Sequence, residues 1–166
     1  MNPAIDLAIE AAQWTQLEDS SRLVETAILA AIREIDLTFG PNTEVGVLLC
    51  DDAFIQKLNH RWRGIDKPTN VLSFPAGKDA AAVGLLGDIV IAFETAAKEA
   101  AAAGILLREH VAHLLVHGFL HLAGHDHIEA PQAEAMEMIE RAALGSLGIA
   151  DPYRESLSDE AACANE

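Results

Sequence analysis

A chain of 166 residues is long enough for one domain that buries roughly 68–70% of its unfolded surface. Its formal charge of −15 excludes a protein that coats nucleic acid non-specifically, because neutralising phosphate needs a broad basic surface. Two distant cysteines, Cys50 and Cys163, exclude a disulfide framework and a thiolate metal site and fit a reducing cytoplasm. No basic-then-apolar leader and no charge-free apolar run of ~18 residues is seen, so neither secretion nor a membrane partner is expected, and a soluble cytoplasmic protein is.

Taken in order, residues 4–12 place Ile5, Leu7 and Ile9 on alternate positions and predict a first strand. Ser20 or Ser21 is the expected cap of an amphipathic helix from Arg22 to Ile35, which Phe39-Gly40-Pro41-Asn42 stops. Glu44 to Cys50 suits a buried strand, and Asp51-Asp52 offer caps for a helix of about 52–62. After the loop from Gly64 to Asn70, Val71-Leu72-Ser73-Phe74 is extended, and Pro75 marks it as an edge strand. Residues 76–86 show no period and read as a surface loop, whereas Gly87 to Phe93 is the clearest strand pattern in the chain.

Glu94 and Thr95 open an alanine-rich helix to Ala103, and Gly104 separates it from a helix of about 105–123. A last helix is predicted from Pro131 to Leu147, with proline in its tolerated first turn. The fold class expected is α+β: a single domain with a roughly four-stranded mixed sheet, about five helices and a metal site on a central helix. Residues 1–150 would form it, and 151–166 would be an acidic, frayed tail.

The cations are unevenly placed. Between residues 55 and 78, Lys57, Arg61, Arg63, Lys67 and Lys78 face only Asp66, a local charge of +4. Such a run is either a solvated face or an anion-binding patch that draws a polyanion to one spot.

Chemistry concentrates in His117-Gly118-Phe119-Leu120-His121-Leu122-Ala123-Gly124-His125-Asp126-His127, which holds four of the seven histidines. His117 and His121 are one turn apart, so their Cβ atoms lie roughly 5–6 Å apart on one helix face, close enough to share a cation. Gly124 can take the left-handed conformation that ends a helix and turns the chain back. His125 and His127 both follow it; the position further past the turn has the better reach for doubling back and favours His127. Three imidazoles with one open position suit a catalytic zinc, one ion per chain. The bland reading is a structural histidine cluster. His113, one turn before His117, is placed in packing or a backbone hydrogen bond or beside the ligands; His110 is read as a surface residue. Asp126 can orient an imidazole, act on water or cap the loop.

Zinc peptidases of the H-E-x-x-H pattern carry a glutamate base directly after the first histidine, and Gly118 stands there instead. Phosphodiester cleavage needs no such residue, only a metal and a cation for the phosphate.

The histidine segment is similar to the H-G-x-L-H-L-x-G-[YH]-D-H signature of the YbeY family of endoribonucleases. Leu58-Asn59-His60-Arg61-Trp62-Arg63-Gly64, Thr69-Asn70-Val71-Leu72-Ser73-Phe74-Pro75 and Gly87-Asp88-Ile89-Val90-Ile91 resemble that family's other blocks, in order. The resemblance, over roughly residues 5–150, implies a metal-dependent endoribonuclease specific for single-stranded RNA, acting on ribosomal RNA, notably the 3′ end of the small-subunit RNA, and in ribosome quality control. It implies zinc ligation by His117, His121 and His127 and phosphate binding by Arg63. Lys57, Arg61 and Lys67 would contact RNA, and the ribosome or its small subunit and an Era-like assembly GTPase would be partners. Asn70 departs from a common aspartate and His125 from a common tyrosine. The rival expectations are a ribosome-assembly module with structural zinc and a metal hydrolase of a non-RNA substrate.

Overall fold

The computed structural model describes residues 2–77, 84–126 and 128–153. Among these, β1 (Ala4–Ile9), β2 (Glu44–Cys50), β3 (Val71–Pro75) and β4 (Leu85–Ala92) form one sheet in the order β1-β2-β4-β3. The first three strands of that order run parallel, and β3 lies antiparallel on the edge beside β4, the position its closing proline suits. The helices are α1 (Ser20–Arg33), α2 (Asp52–Arg63), α3 (Phe93–Ala103), α4 (Leu107–Leu122) and α5 (Ala130–Ser146). This is the expected α+β architecture with a four-stranded mixed sheet and five helices.

Alternation within the strands divides the core. Val45, Val47, Leu49, Ile89 and Ile91 point to one face, where they pack with buried residues of α1, α4 and α5. Leu72, Val90 and Ala92 point to the other, where Ile55 of α2 covers them. Helix α4 is apolar on nearly every side, with Val111, Ala112, Leu115, Val116, Phe119 and Leu120 all buried, as a central helix must be. His113, His117 and His121 occupy its remaining stripe, four residues apart and half-buried.

Several boundaries differ from expectation. Asp19, with φ 49°, caps α1 in place of Ser20 or Ser21; its side chain accepts from Arg22 N, and Ser20 is already helical. Leu85 and Leu86, expected in a loop, belong to β4, because Glu44 N donates to Gly84 O at 2.7 Å and pairing continues from there. Phe93 begins α3 rather than ending β4. Residues 78–83 of the expected loop, Lys78 included, lie outside the described residues.

Asp51 caps α2 through Phe54 N at 2.8 Å. Asp52, read from sequence as a second cap for the same helix, instead serves α3: it accepts from Thr95 N at 3.1 Å and Thr95 Oγ1 at 2.7 Å. Glu94 of α3 returns the bond, accepting from Asp52 N at 3.2 Å. The two N-termini cap each other, satisfying donors that neither helix can satisfy internally. This fixes the start of α2, and Gly64, with φ 72°, ends it, so Arg63 sits at a defined helix exit.

Candidate metal centre

Helical spacing brings His117 and His121 together as expected: their Nε2 atoms are 3.1 Å apart. The opposite ring nitrogens are both engaged. His117 Nδ1 donates to Glu140 Oε1 at 2.6 Å, and His121 Nδ1 donates to the carbonyl oxygen of His125 at 3.0 Å. A carboxylate and a carbonyl only accept, so each Nδ1 carries a proton, and Nε2 is the nitrogen that each ring turns toward the other. Two ring nitrogens at that separation share either a proton in a hydrogen bond or a metal ion that both ligate. The donor set fits a divalent metal such as zinc, because two imidazole nitrogens converge and each ring is held by a hydrogen bond from its far nitrogen.

Among the described residues, no group of three histidine, cysteine or acidic side chains is arranged to hold a metal. His127, the expected third ligand, lies outside the described residues.

Glu140 was not singled out in the sequence. It comes from α5, is fully buried, and accepts from three donors: His117, His113 Nε2 at 3.1 Å, and the Tyr153 hydroxyl. Burial alone raises its pKa, but the bonds from His113, His117 and Tyr153 outweigh burial and hold it down at about 2, so it stays an anion. Burial, reinforced by that carboxylate, pushes the Tyr153 phenol up, which keeps it a donor. A signal was present: Met136, Glu140, Ala143 and Leu144 are the buried residues of α5, spaced as one apolar stripe. Glutamate in such a stripe is a buried acid that requires partners.

His113 thus stands behind His117 and shares its acceptor. His110, expected on the surface, bonds Glu99 at 3.0 Å with its side chain 15% exposed. Residues 151–153 open the expected flexible tail, yet Asp151 pairs with Arg141 at 3.1 Å and Tyr153 reaches Glu140; the tail from 154 onward lies outside the described residues.

The histidine pair opens onto a cleft of about 550 Å³ lined by Arg63, Asn70, Ser73, Pro75, His117, His121, His125 and Asp126, among others. Arg63 is thereby brought to the histidines from 54 positions earlier in the chain. His125 contributes its carbonyl to His121, and Asp126 lies on the cleft wall. Lys57, Arg61 and Lys67 are exposed outside the lining. Asn70 donates to Glu99 at 2.9 Å; an aspartate there would set two carboxylates against each other, so the departure at Asn70 is matched by Glu99.

Gly118 has a steric reason as well as a chemical consequence. A Cβ on it would lie 2.9 Å from Ile89 Cγ2 and 3.1 Å from Ser73 Oγ. The helix backbone presses against the sheet there, and Ser73 Oγ donates to Gly118 O at 3.1 Å. A glutamate has no room.

An α+β protein is thereby defined in which an imidazole pair, held from behind on a central helix, lines one cleft together with an arginine. The comparisons make the class specific. Residues 8–148 match the family model described as Endoribonuclease YbeY, and the chain belongs to that family. It is 53% identical over 158 residues to an Endoribonuclease YbeY of Methylocella silvestris, covering 95% of this chain and 90% of that one. A Bradyrhizobium sp. protein of the same description is 45% identical over 159 residues, covering 92% of this chain and 94% of its own length. The solution structure of TM1509 from Thermotoga maritima shares the fold, with a TM-score of 0.55 at 24% identity, covering 86% of this chain and 91% of that one.

Proposed function

We propose that the chain is a zinc-dependent endoribonuclease for single-stranded RNA that matures ribosomal RNA. The observation that carries this reading is Arg63 in the same cleft as the facing Nε2 atoms of His117 and His121. A phosphodiester presents both a polarisable oxygen and negative charge, and this cleft offers a partner for each. The curated relatives, described as endoribonucleases, support the substrate class.

His117 and His121 would hold the ion, with His127 as third ligand. When bound, zinc supplies Lewis-acid polarisation of a phosphoryl oxygen and activation of water. Glu140 and the His125 carbonyl keep the two rings in the ligating tautomer. Arg63 offers two parallel N–H bonds to the non-bridging oxygens of the scissile phosphate and stabilises the charge that grows there. The nucleophile is either water or the neighbouring 2′-hydroxyl; a 2′,3′-cyclic phosphate among the product ends identifies the latter.

The substrate assigned is the 3′ end of small-subunit ribosomal RNA. Because the protein carries a net charge of −15, its affinity for free RNA is weak and falls steeply with salt. Selection of the cleavage site among RNAs then comes from the ribosome or from an assembly GTPase of the Era kind. The test is zinc content together with RNA cleavage in wild type and His121→Ala: loss of both supports the reading, and retention of both sinks the assignment of the site. A variant that loses zinc but still cleaves places catalysis elsewhere.

A further inference from the structure

Trp62 exposes 63% of its surface, beside a cleft whose walls its own neighbours build. Arg63, the next residue, lines that cleft. The Trp62 ring packs at 6.2 Å and 62° against Phe74 of edge strand β3, and the residues flanking Phe74, Ser73 and Pro75, also line the cleft. The Arg61 guanidinium stands 5.3 Å from the centre of the indole. The last turn of α2 is basic on a chain that is otherwise strongly acidic.

An indole this exposed adds little to the core, while Phe74 and Arg61 limit its freedom and so reduce the ordering cost of any ligand that stacks on it. An aromatic face braced by a guanidinium, in a basic turn beside a phosphate-binding arginine, is the arrangement that receives an unpaired nucleobase. Charge complementarity selects a polyanion, and the ring selects one with bases to stack.

We infer that Trp62 is a nucleobase-stacking platform that seats an unpaired nucleotide next to the scissile phosphate and thereby gives the site its selectivity for single strands. This rests on the RNA reading of the cleft and extends it to the source of strand selectivity: bases in a duplex are already stacked and paired, so the platform has nothing to receive from one. The strand would cross the edge of the sheet at β3, from the histidines on the α4 side to Trp62 at the exit of α2.

The protein carries its own probe. Its other tryptophan, Trp14, is 1% exposed, so a ligand that quenches indole emission by contact reports on Trp62. The experiment titrates zinc-loaded protein with short oligouridylate, with the same strand paired to oligoadenylate, and with a sugar–phosphate strand lacking bases, while cleavage is followed on gels. Expected are quenching by oligouridylate and little by the other two. Trp62→Ala should weaken oligouridylate binding roughly 5- to 150-fold, with the salt dependence unchanged because no phosphate contact is removed. Trp62→Phe should keep most of the affinity. RNA cleavage by wild type without any change in emission, or with Trp62→Ala binding as tightly as wild type, overturns the platform and leaves the nuclease reading standing. Neither binding nor cleavage of RNA overturns both.

Discussion

Glu140 Oε1 lies 2.6 Å from His117 Nδ1, and through this bond a helix that contributes no expected ligand controls the orientation of one. With His113 and Tyr153 on its other oxygen, the carboxylate is saturated by donors. Glu140→Gln replaces an acceptor by an amide that must turn donors toward donors. Zinc affinity is expected to fall about 10- to 100-fold, measured by competition with a chromophoric chelator. Unchanged affinity in a folded Glu140→Gln protein contradicts the orienting role.

Arg63→Ala should lower kcat/KM for RNA by roughly 10²–10³, the range for removing one preorganised donor at a developing charge, with zinc content unaltered. Lysine should restore little, because an ammonium cannot make the paired, planar contact of a guanidinium. Full turnover in Arg63→Ala would instead favour hydrolysis of a substrate without phosphate.

Helix propensity alone makes Gly118→Ala stabilising by about 1 kcal/mol. The 2.9 Å approach to Ile89 Cγ2 works in the other direction, since overpacking of a core costs about 1–3 kcal/mol. The branched Ile89 side chain is itself fully buried and cannot swing away. A net loss of about 1 kcal/mol is expected from urea unfolding; a gain would show that α4 can lift from the sheet without penalty.

Burial, followed by the carboxylates of Asp51, Glu94 and Asp52, pushes the Cys50 thiol up to about 12 from an unfolded value of 9.0. Between those values the unfolded chain has lost a proton that the folded chain keeps, so stability falls as pH rises through this window and is unaffected by this group below it. At pH 8 the native thiol should resist iodoacetamide, and peptide mass analysis should find Cys50 alkylated only after denaturation. Rapid native labelling would mean that the α2 side of the sheet opens readily.

The strands, helices and histidine pair were legible because each follows from local chemistry: alternation for β1, a run of residues suited to a buried strand for β2, the proline that ends β3, the one-turn spacing of His117 and His121. What was not legible depends on elements distant in sequence. Asp52 looks like a cap for its own helix and caps α3, because two helix starts meet across 43 positions. Glu99 resembles a surface acid until Asn70 is seen beside it, and the apolar stripe of α5 marks Glu140 as buried without naming its partner, His117. His110 was misplaced for the same reason. Asp19 escaped notice because a left-handed backbone at a non-glycine residue leaves no periodic trace.

The acceptor for His117 arrives late: Glu140 follows His121 by 19 positions and Tyr153 follows Glu140 by 13. A growing chain that has completed α4 carries the imidazole pair but not the carboxylate that fixes one ring in its ligating tautomer. The centre can reach its final geometry only after α5 has docked, when synthesis of the domain is all but finished. For a nuclease whose proposed substrate is the RNA of the machine that makes it, this order of assembly withholds competence from any nascent chain in which α5 has not yet docked.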